Sequence, residues 1–236
     1  MTDEVRPQGV APLSADRAPS GRMRLLAAVL VLANVAVFSV IAEDVVDGGG
    51  LISHDEAVLT WFVDHRTDWL VSAAKTVSTV GGYAFLLGYS VAILLWLWRR
   101  RSSVLLAAAP LVTLLVAGPA STIAKNHFGR ERPPIALQAA TVKLSAFPSG
   151  HATDAAAFFI AAAFVLALTV ARTRRAQAAV LVAGLCAAGL VGVSRLVLAV
   201  HWLSDVVAGW ALGSAIAITI VAVAWYGAGR VPRSTG

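Results

Sequence analysis

The chain has 236 residues, of which 58% are hydrophobic and only 14% charged, with a mean hydropathy of +0.76 and a formal net charge of +6. A soluble domain carries about 25% charged residues, so the composition excludes one and marks an integral membrane protein. The lone cysteine, Cys186, lies in an apolar run and excludes a disulfide framework or a thiolate metal cluster. The positive charge is placed at helix ends, which accounts for it without a nucleic-acid partner.

Residues 1–24 are polar, with Pro7, Pro12 and Pro19, and read as a disordered cytoplasmic tail. At about 1.5 Å per residue, roughly 20 apolar residues cross a bilayer core. The run Leu25–Ala42 qualifies, and no small-residue cleavage pattern follows it. Residues 43–75 are acidic and hold the joint Gly48-Gly49-Gly50. Within them Val58, Trp61, Phe62, Trp69 and Leu70 recur near helical spacing, which predicts an amphipathic helix on the membrane surface between His54 and Ala74.

Four further spans are expected at about Val77–Trp98, Ser103–Ala124 (with Pro110 and Pro119 as kinks), Ala152–Ala171 and Ala178–Val193. A sixth runs from about Trp202 to Trp225, giving a membrane domain over 25–226 and a second cytoplasmic tail at 227–236. The expected fold is all-α, a six-helix membrane bundle. Arg22 and Arg24, Arg99–Arg101, Arg172–Arg175 and Arg230 with Arg233 then fall on one side, so both termini are expected in the cytoplasm. The loop 125–150 falls on the outer side and yet carries Lys125, Arg130, Arg132 and Lys143. A basic loop on the wrong side calls for a function.

Three polar groups share that outer face. They are Lys125 with Arg132-Pro133, then Pro148-Ser149-Gly150-His151, then Ser194-Arg195 with His201 and Asp205. His201 and Asp205 stand four apart and can share a helix face, so the carboxylate can orient the imidazole. Arg195 and His201 are six apart, about 240° around a straight helix, which predicts a break within Leu196–Val200. Ser149 caps the following helix, whose N-terminus with Gly150 suits a phosphate. Lys125, Arg132 and Arg195 supply fixed positive charge for phosphate oxygens. The two histidines, His151 and His201, suffice for a two-step phosphoryl transfer, one attacking and one protonating, with the roles open. No acidic metal-binding cluster accompanies them, so no metal or other cofactor is expected.

These three groups resemble, position by position, the three-part signature of the type 2 phosphatidic acid phosphatase family, which shares its site with vanadium-dependent haloperoxidases and bacterial class A acid phosphatases. The motifs span residues 125–205, and the six-span layout extends over nearly all the rest. The resemblance implies a metal-independent membrane phosphatase. It makes His201 the nucleophile that forms a phosphohistidine, Asp205 its orienting partner and His151 the general acid. Lys125, Arg132, Pro133, Ser149, Gly150 and Arg195 become the phosphate-holding set.

Each of these residues alone has a blander reading as a snorkelling cation, a helix cap or an interfacial histidine. Their joint spacing on one membrane face outweighs it. His127 and Arg130 are expected in a solvated loop, and Asp154 is expected to pair with a neighbouring helix or loop. Trp96, Trp98, Trp210 and Trp225 read as interfacial or packing aromatics. Gly81-Gly82, Gly88 and the pair Gly209 and Gly213 read as sites of close helix packing, which leave a homodimer open. The partners expected are the bilayer and a lipid phosphate at the outer face of a bacterial plasma membrane, with polyprenyl pyrophosphate favoured over phosphatidic acid and phosphatidylglycerol phosphate. A lipid phosphotransferase with the same site, or a non-catalytic protein that binds anionic lipid, are the alternatives.

Overall fold

The computed structural model describes residues 19–229, and every regular element among them is helical. The sequence-predicted tails at 1–24 and 227–236 lie largely outside the described residues. Helix α1 (Gly21–Asp47) begins behind Ser20, whose Oγ accepts the Met23 N–H at 3.3 Å. It ends at Gly48, whose φ of +79° suits a residue without Cβ. A 3-10 turn over Gly50–His54 leads to α2 (Asp55–His65), and α3 (Asp68–Val80) follows. The remaining helices are α4 (Tyr83–Arg99), α5 (Val104–Phe128), α6 (Gly150–Thr169), α7 (Arg174–Val197) and α8 (Leu203–Ala228).

Five of these, α1, α5, α6, α7 and α8, are long and apolar enough to cross a membrane. The pair α3 and α4, bent by 49° at Gly81-Gly82, qualifies together as a sixth. This revises the region 54–98. The single surface helix expected over 54–74 is interrupted at Thr67, which is extended (φ −111°, ψ 164°). Its second half belongs to the bent span. The expected helix from Val77 is broken where Gly82 takes an extended conformation, and a Cβ at Gly82 would stand 3.0 Å from the Thr79 carbonyl oxygen.

Helix α6 is the central post. Its apolar window is 78% buried, against 11% for α1 on the periphery. The reason is in its sequence: Ala155, Ala156, Ala157, Ala161, Ala162, Ala163 and Ala167 are all buried and let α5, α7 and α8 approach closely. On α8, a Cβ at Gly209 would lie 2.7 Å from the Ser149 carbonyl oxygen, and one at Gly213 would overlap the Thr153 carbonyl. The small-residue pair read from the sequence is therefore used within the chain, between α6 and α8. Leu106, Leu97, Val165, Leu168 and Trp225 fill the core at the far end of the bundle from the polar groups.

Candidate active site

The polar residues singled out in the sequence come from six segments that meet at one end of the bundle. Lys125 is in the last turn of α5, and Arg132 is in the loop 129–149. Gly150 and His151 open α6. Arg195 is in the last turn of α7, His201 follows it in the turn 198–202, and Asp205 is in the first turn of α8. The predicted break is present: α7 ends at Val197, and Ala199 turns the chain with a left-handed φ of +52°. Lys125, Arg132, Gly150, His151, Arg195 and His201 all line one cavity of about 390 Å³, together with Tyr83, Ser121 and Asp154.

His201 is 2% exposed and held from both sides. Its Nδ1 lies 3.3 Å from Asp205 Oδ2, and its Nε2 lies 3.1 Å from Arg132 Nη1. A guanidinium can only donate, so Nε2 is the acceptor and Nδ1 carries the hydrogen given to the carboxylate. The lone pair thus sits on the nitrogen beside the cation. Burial, then Arg132, Lys125 and Arg195, push the imidazole well below its ordinary pKa, so the ring is neutral at neutral pH. Burial also lowers the Arg132 guanidinium, with Asp205 opposing the shift, and an arginine so perturbed remains charged.

The three cations differ in what they have left to give. Lys125 Nζ donates to the carbonyls of Ser145 (2.9 Å), Ala146 (3.2 Å) and Pro148 (2.6 Å), which occupies all three of its hydrogens. Arg132 donates to Leu144 O, Ser145 O and Val200 O besides His201. Both cations therefore fasten the loop that frames the cavity. Arg195 Nη1 donates to Ser78 Oγ, while its buried Nε has no hydrogen-bond partner. It keeps the most hydrogens for a ligand.

Two residues of the expected phosphate-holding set stand outside the cavity wall. Ser149 is fully buried and caps α6, its Oγ accepting the Ala152 N–H at 3.5 Å. Pro133 is buried behind Arg132, its carbonyl accepting from Gln138 Nε2 at 2.7 Å. Two other expectations are corrected. Arg130 is not in a solvated loop, because it pairs with Asp55 at 2.7 Å and Asp205 at 2.6 Å. Asp154 does not pair with a neighbouring helix through Oδ1, which is buried without a hydrogen-bond partner in the cavity wall. His127 is exposed as expected, but in the last turn of α5 and not in a loop. Sequence reasoning also missed Ser78, and it read Gly82 as a packing residue only. The break at Gly81-Gly82 brings the chain against His151, where a Cβ on Gly82 would lie 3.6 Å from Nε2. The double glycine was the available signal.

A helical membrane bundle whose end holds a cationic cavity with a neutral, carboxylate-oriented histidine has the anatomy of an enzyme for phosphate esters. The PAP2 superfamily model matches residues 106–228, more than half of the chain. Phosphatidylglycerophosphatase B of Bacillus subtilis (strain 168) is 29% identical over 181 residues, which are 75% of this chain and 86% of that protein. The crystal structure of the transmembrane PAP2 type phosphatidylglycerolphosphate phosphatase from Bacillus subtilis superposes with a TM-score of 0.71 at 25% identity, covering 82% of this chain and 93% of that one. That of Aquifex aeolicus LpxE, with a TM-score of 0.54 at 18% identity over 70% of this chain and 93% of that one, shares the fold. The chain belongs to the PAP2 superfamily and is a multi-pass, membrane-embedded phosphatase of it.

Proposed function

We propose that the protein hydrolyses the terminal phosphate of a membrane lipid through a phosphohistidine on His201. The observation that carries this reading is the fixed tautomer of His201, whose Nε2 lone pair stands in the cavity wall next to Arg132 while Asp205 holds Nδ1–H. In the first step Nε2 gives up its hydrogen bond from Arg132 Nη1 and bonds to phosphorus, the bond from phosphorus to the lipid oxygen breaks, and His151 gives that oxygen a proton. In the second, water attacks phosphorus, His151 takes its proton, and the bond from phosphorus to nitrogen breaks, releasing inorganic phosphate. Asp205 stabilises the positive charge that the ring acquires in between. Arg195, Arg132 and Lys125 neutralise the equatorial oxygens, and the N-terminus of α6 adds its dipole at Gly150.

The substrate follows from orientation and likeness. The arginines at the opposite helix ends support cytoplasmic termini and an outward-facing site in the plasma membrane. That orientation favours polyprenyl pyrophosphate, the carrier discharged on the outer side. The activity named for the relatives from Bacillus subtilis supports phosphatidylglycerol phosphate, which we rank first among lipid phosphates for this chain. The test is phosphate release by the purified protein in detergent with EDTA, from phosphatidylglycerol phosphate, phosphatidic acid and polyprenyl pyrophosphate. Turnover of at least one at an undiminished rate in EDTA is expected. Silence on all three, or activity abolished by the chelator, overturns the reading.

Asp154 gives a further check. A carboxylate in the wall of an anion site opposes the bound dianion. Asp154→Asn is expected to tighten inhibition by inorganic phosphate on the order of tenfold at pH 8. An unchanged inhibition constant would show that Asp154 does not face the phosphate.

A further inference from the structure

Behind the cavity the described residues hold a buried charged cluster in which Asp205 meets Arg130 and Asp55, two groups that the chemistry above does not use. Arg130 Nη1 donates to Asp205 Oδ1 at 2.6 Å and to Ser204 Oγ at 2.7 Å, and its Nη2 donates to Asp55 Oδ2 at 2.7 Å. Asp55 also accepts the Ser204 backbone N–H at 2.9 Å and the Ser204 hydroxyl at 2.5 Å. Asp55 and Asp205 are 2% and 0% exposed. The Trp202 ring covers the guanidinium, its centroid 5.8 Å from Cζ. The cluster joins α2, the loop 129–149 and α8.

The two oxygens of Asp205 are divided between two tasks. Oδ2 faces His201 Nδ1 and the Trp202 N–H, whereas Oδ1 is taken by Arg130. A carboxylate gripped at both oxygens cannot rotate away from the imidazole. The charges also balance in a particular way. Asp55, Arg130 and Asp205 sum to one negative charge, which matches the one positive charge the His201 ring acquires when it bonds to phosphorus. Asp205 without Arg130 would leave two buried negative charges close together, which is costly.

We propose that Arg130 and Asp55 are positioning residues for the reaction. Arg130 locks Asp205 in the orientation that holds the His201 ring, and Asp55 offsets Arg130 so that the cluster keeps a single net negative charge behind the imidazole. The inference rests on His201 being the nucleophile.

The sign of its pH dependence can be worked out. His201 is faced by Arg132 from the loop, Lys125 from α5, Arg195 from α7 and His151 from α6, with Asp205 on the other side. Asp205 in turn is faced by Arg130 and Lys125. Removing the positive charge of Arg130 raises the pH at which the ring gives up its proton, and removing the negative charge of Asp55 lowers it. Only the neutral ring attacks, so the acid limb of kcat/KM follows the same direction.

The experiment is the pH profile of phosphate release from short-chain phosphatidic acid in detergent, whose own titration is common to all variants. Arg130→Gln is expected to move the acid limb up by about one pH unit and to lower kcat on the order of a hundredfold with KM nearly unchanged. Arg130→Lys, which keeps the charge and loses the fork, is expected to return the limb to its place and recover part of kcat. Asp55→Asn is expected to lower kcat without moving the limb up. Should Arg130→Gln fail to fold, the kcat loss of Arg130→Lys at constant KM carries the test. If Arg130→Gln leaves the limb in place, if both neutralising variants move it up, or if Arg130→Lys matches wild type in kcat, the inference fails. An active His201→Ala would instead overturn the nucleophile assignment.

Discussion

His201→Ala is expected to lower phosphate release by about 10³-fold or more while leaving the protein folded and able to bind lipid. The loss follows from the geometry around the ring. Nε2 is the nitrogen with its lone pair beside the cavity's cations, and the proposed mechanism gives His151 to the leaving oxygen. No other side chain of the cavity wall, Lys125, Arg132, Arg195 and Asp154 included, stands against both Arg132 and Asp205 as His201 does. Stability should suffer little, because Asp205 Oδ2 keeps the Trp202 N–H at 2.9 Å and Arg132 keeps three backbone carbonyls. The measurement is the initial rate of phosphate release, paired with acid-labile phosphate retained on the protein after a rapid quench from labelled substrate. Wild type should retain label and the variant none. A variant within tenfold of wild type would remove the covalent mechanism.

The second large effect is on packing. Gly213→Val is expected to destabilise the bundle by about 1–3 kcal/mol and to lower its melting temperature by about 2–12 °C. A Cβ at Gly213 would overlap the Thr153 carbonyl and stand 2.9 Å from the Ala157 nitrogen and 3.0 Å from the Ala156 Cβ. Two of these are backbone atoms of α6, and none can swing aside, so α8 must move off α6. Asp205 rides on α8, so activity should fall with stability. Gly189→Val is the control, since nothing lies within 4 Å of a Cβ there, and it should melt within a degree or two of wild type. Equal melting of both variants would mean that the α6–α8 contact is looser than described.

These two predictions also mark what could be read from the residues alone. The three polar groups were legible because each lies at the end of a long apolar run, and counting spans puts run ends on a common face. The break before His201 was legible because six residues of straight helix would have turned Arg195 away. Arg130 and Asp55 were not legible. They stand 75 residues apart, and Asp55 occurs in an acidic stretch whose apolar spacing reads as a surface helix. Periodicity reports which face is apolar, and it carries no information on which distant charge will meet another beneath that face. Gly209 and Gly213 were legible as a packing pair, but spacing cannot tell a neighbour in the same chain from one in a second copy. The double glycine at 81–82 was readable as small residues and not as the corner that turns the bent span toward His151.

The saturation of Lys125 by three backbone carbonyls bears on the end of the catalytic cycle rather than its start. A site that attracts a lipid phosphate also attracts the inorganic phosphate it leaves behind, and a cation with idle hydrogens would grip that product directly. Lys125 offers field without grip: its charge lowers the energy of any anion in the cavity, yet each of its hydrogens is already committed to the chain. On the proposed mechanism, the departing phosphate would have fewer bonds to break than the number of nearby cations suggests. Escape of the product, and with it the readiness of the site for the next lipid, would then be uncoupled in part from the strength of the attraction that brings the substrate in.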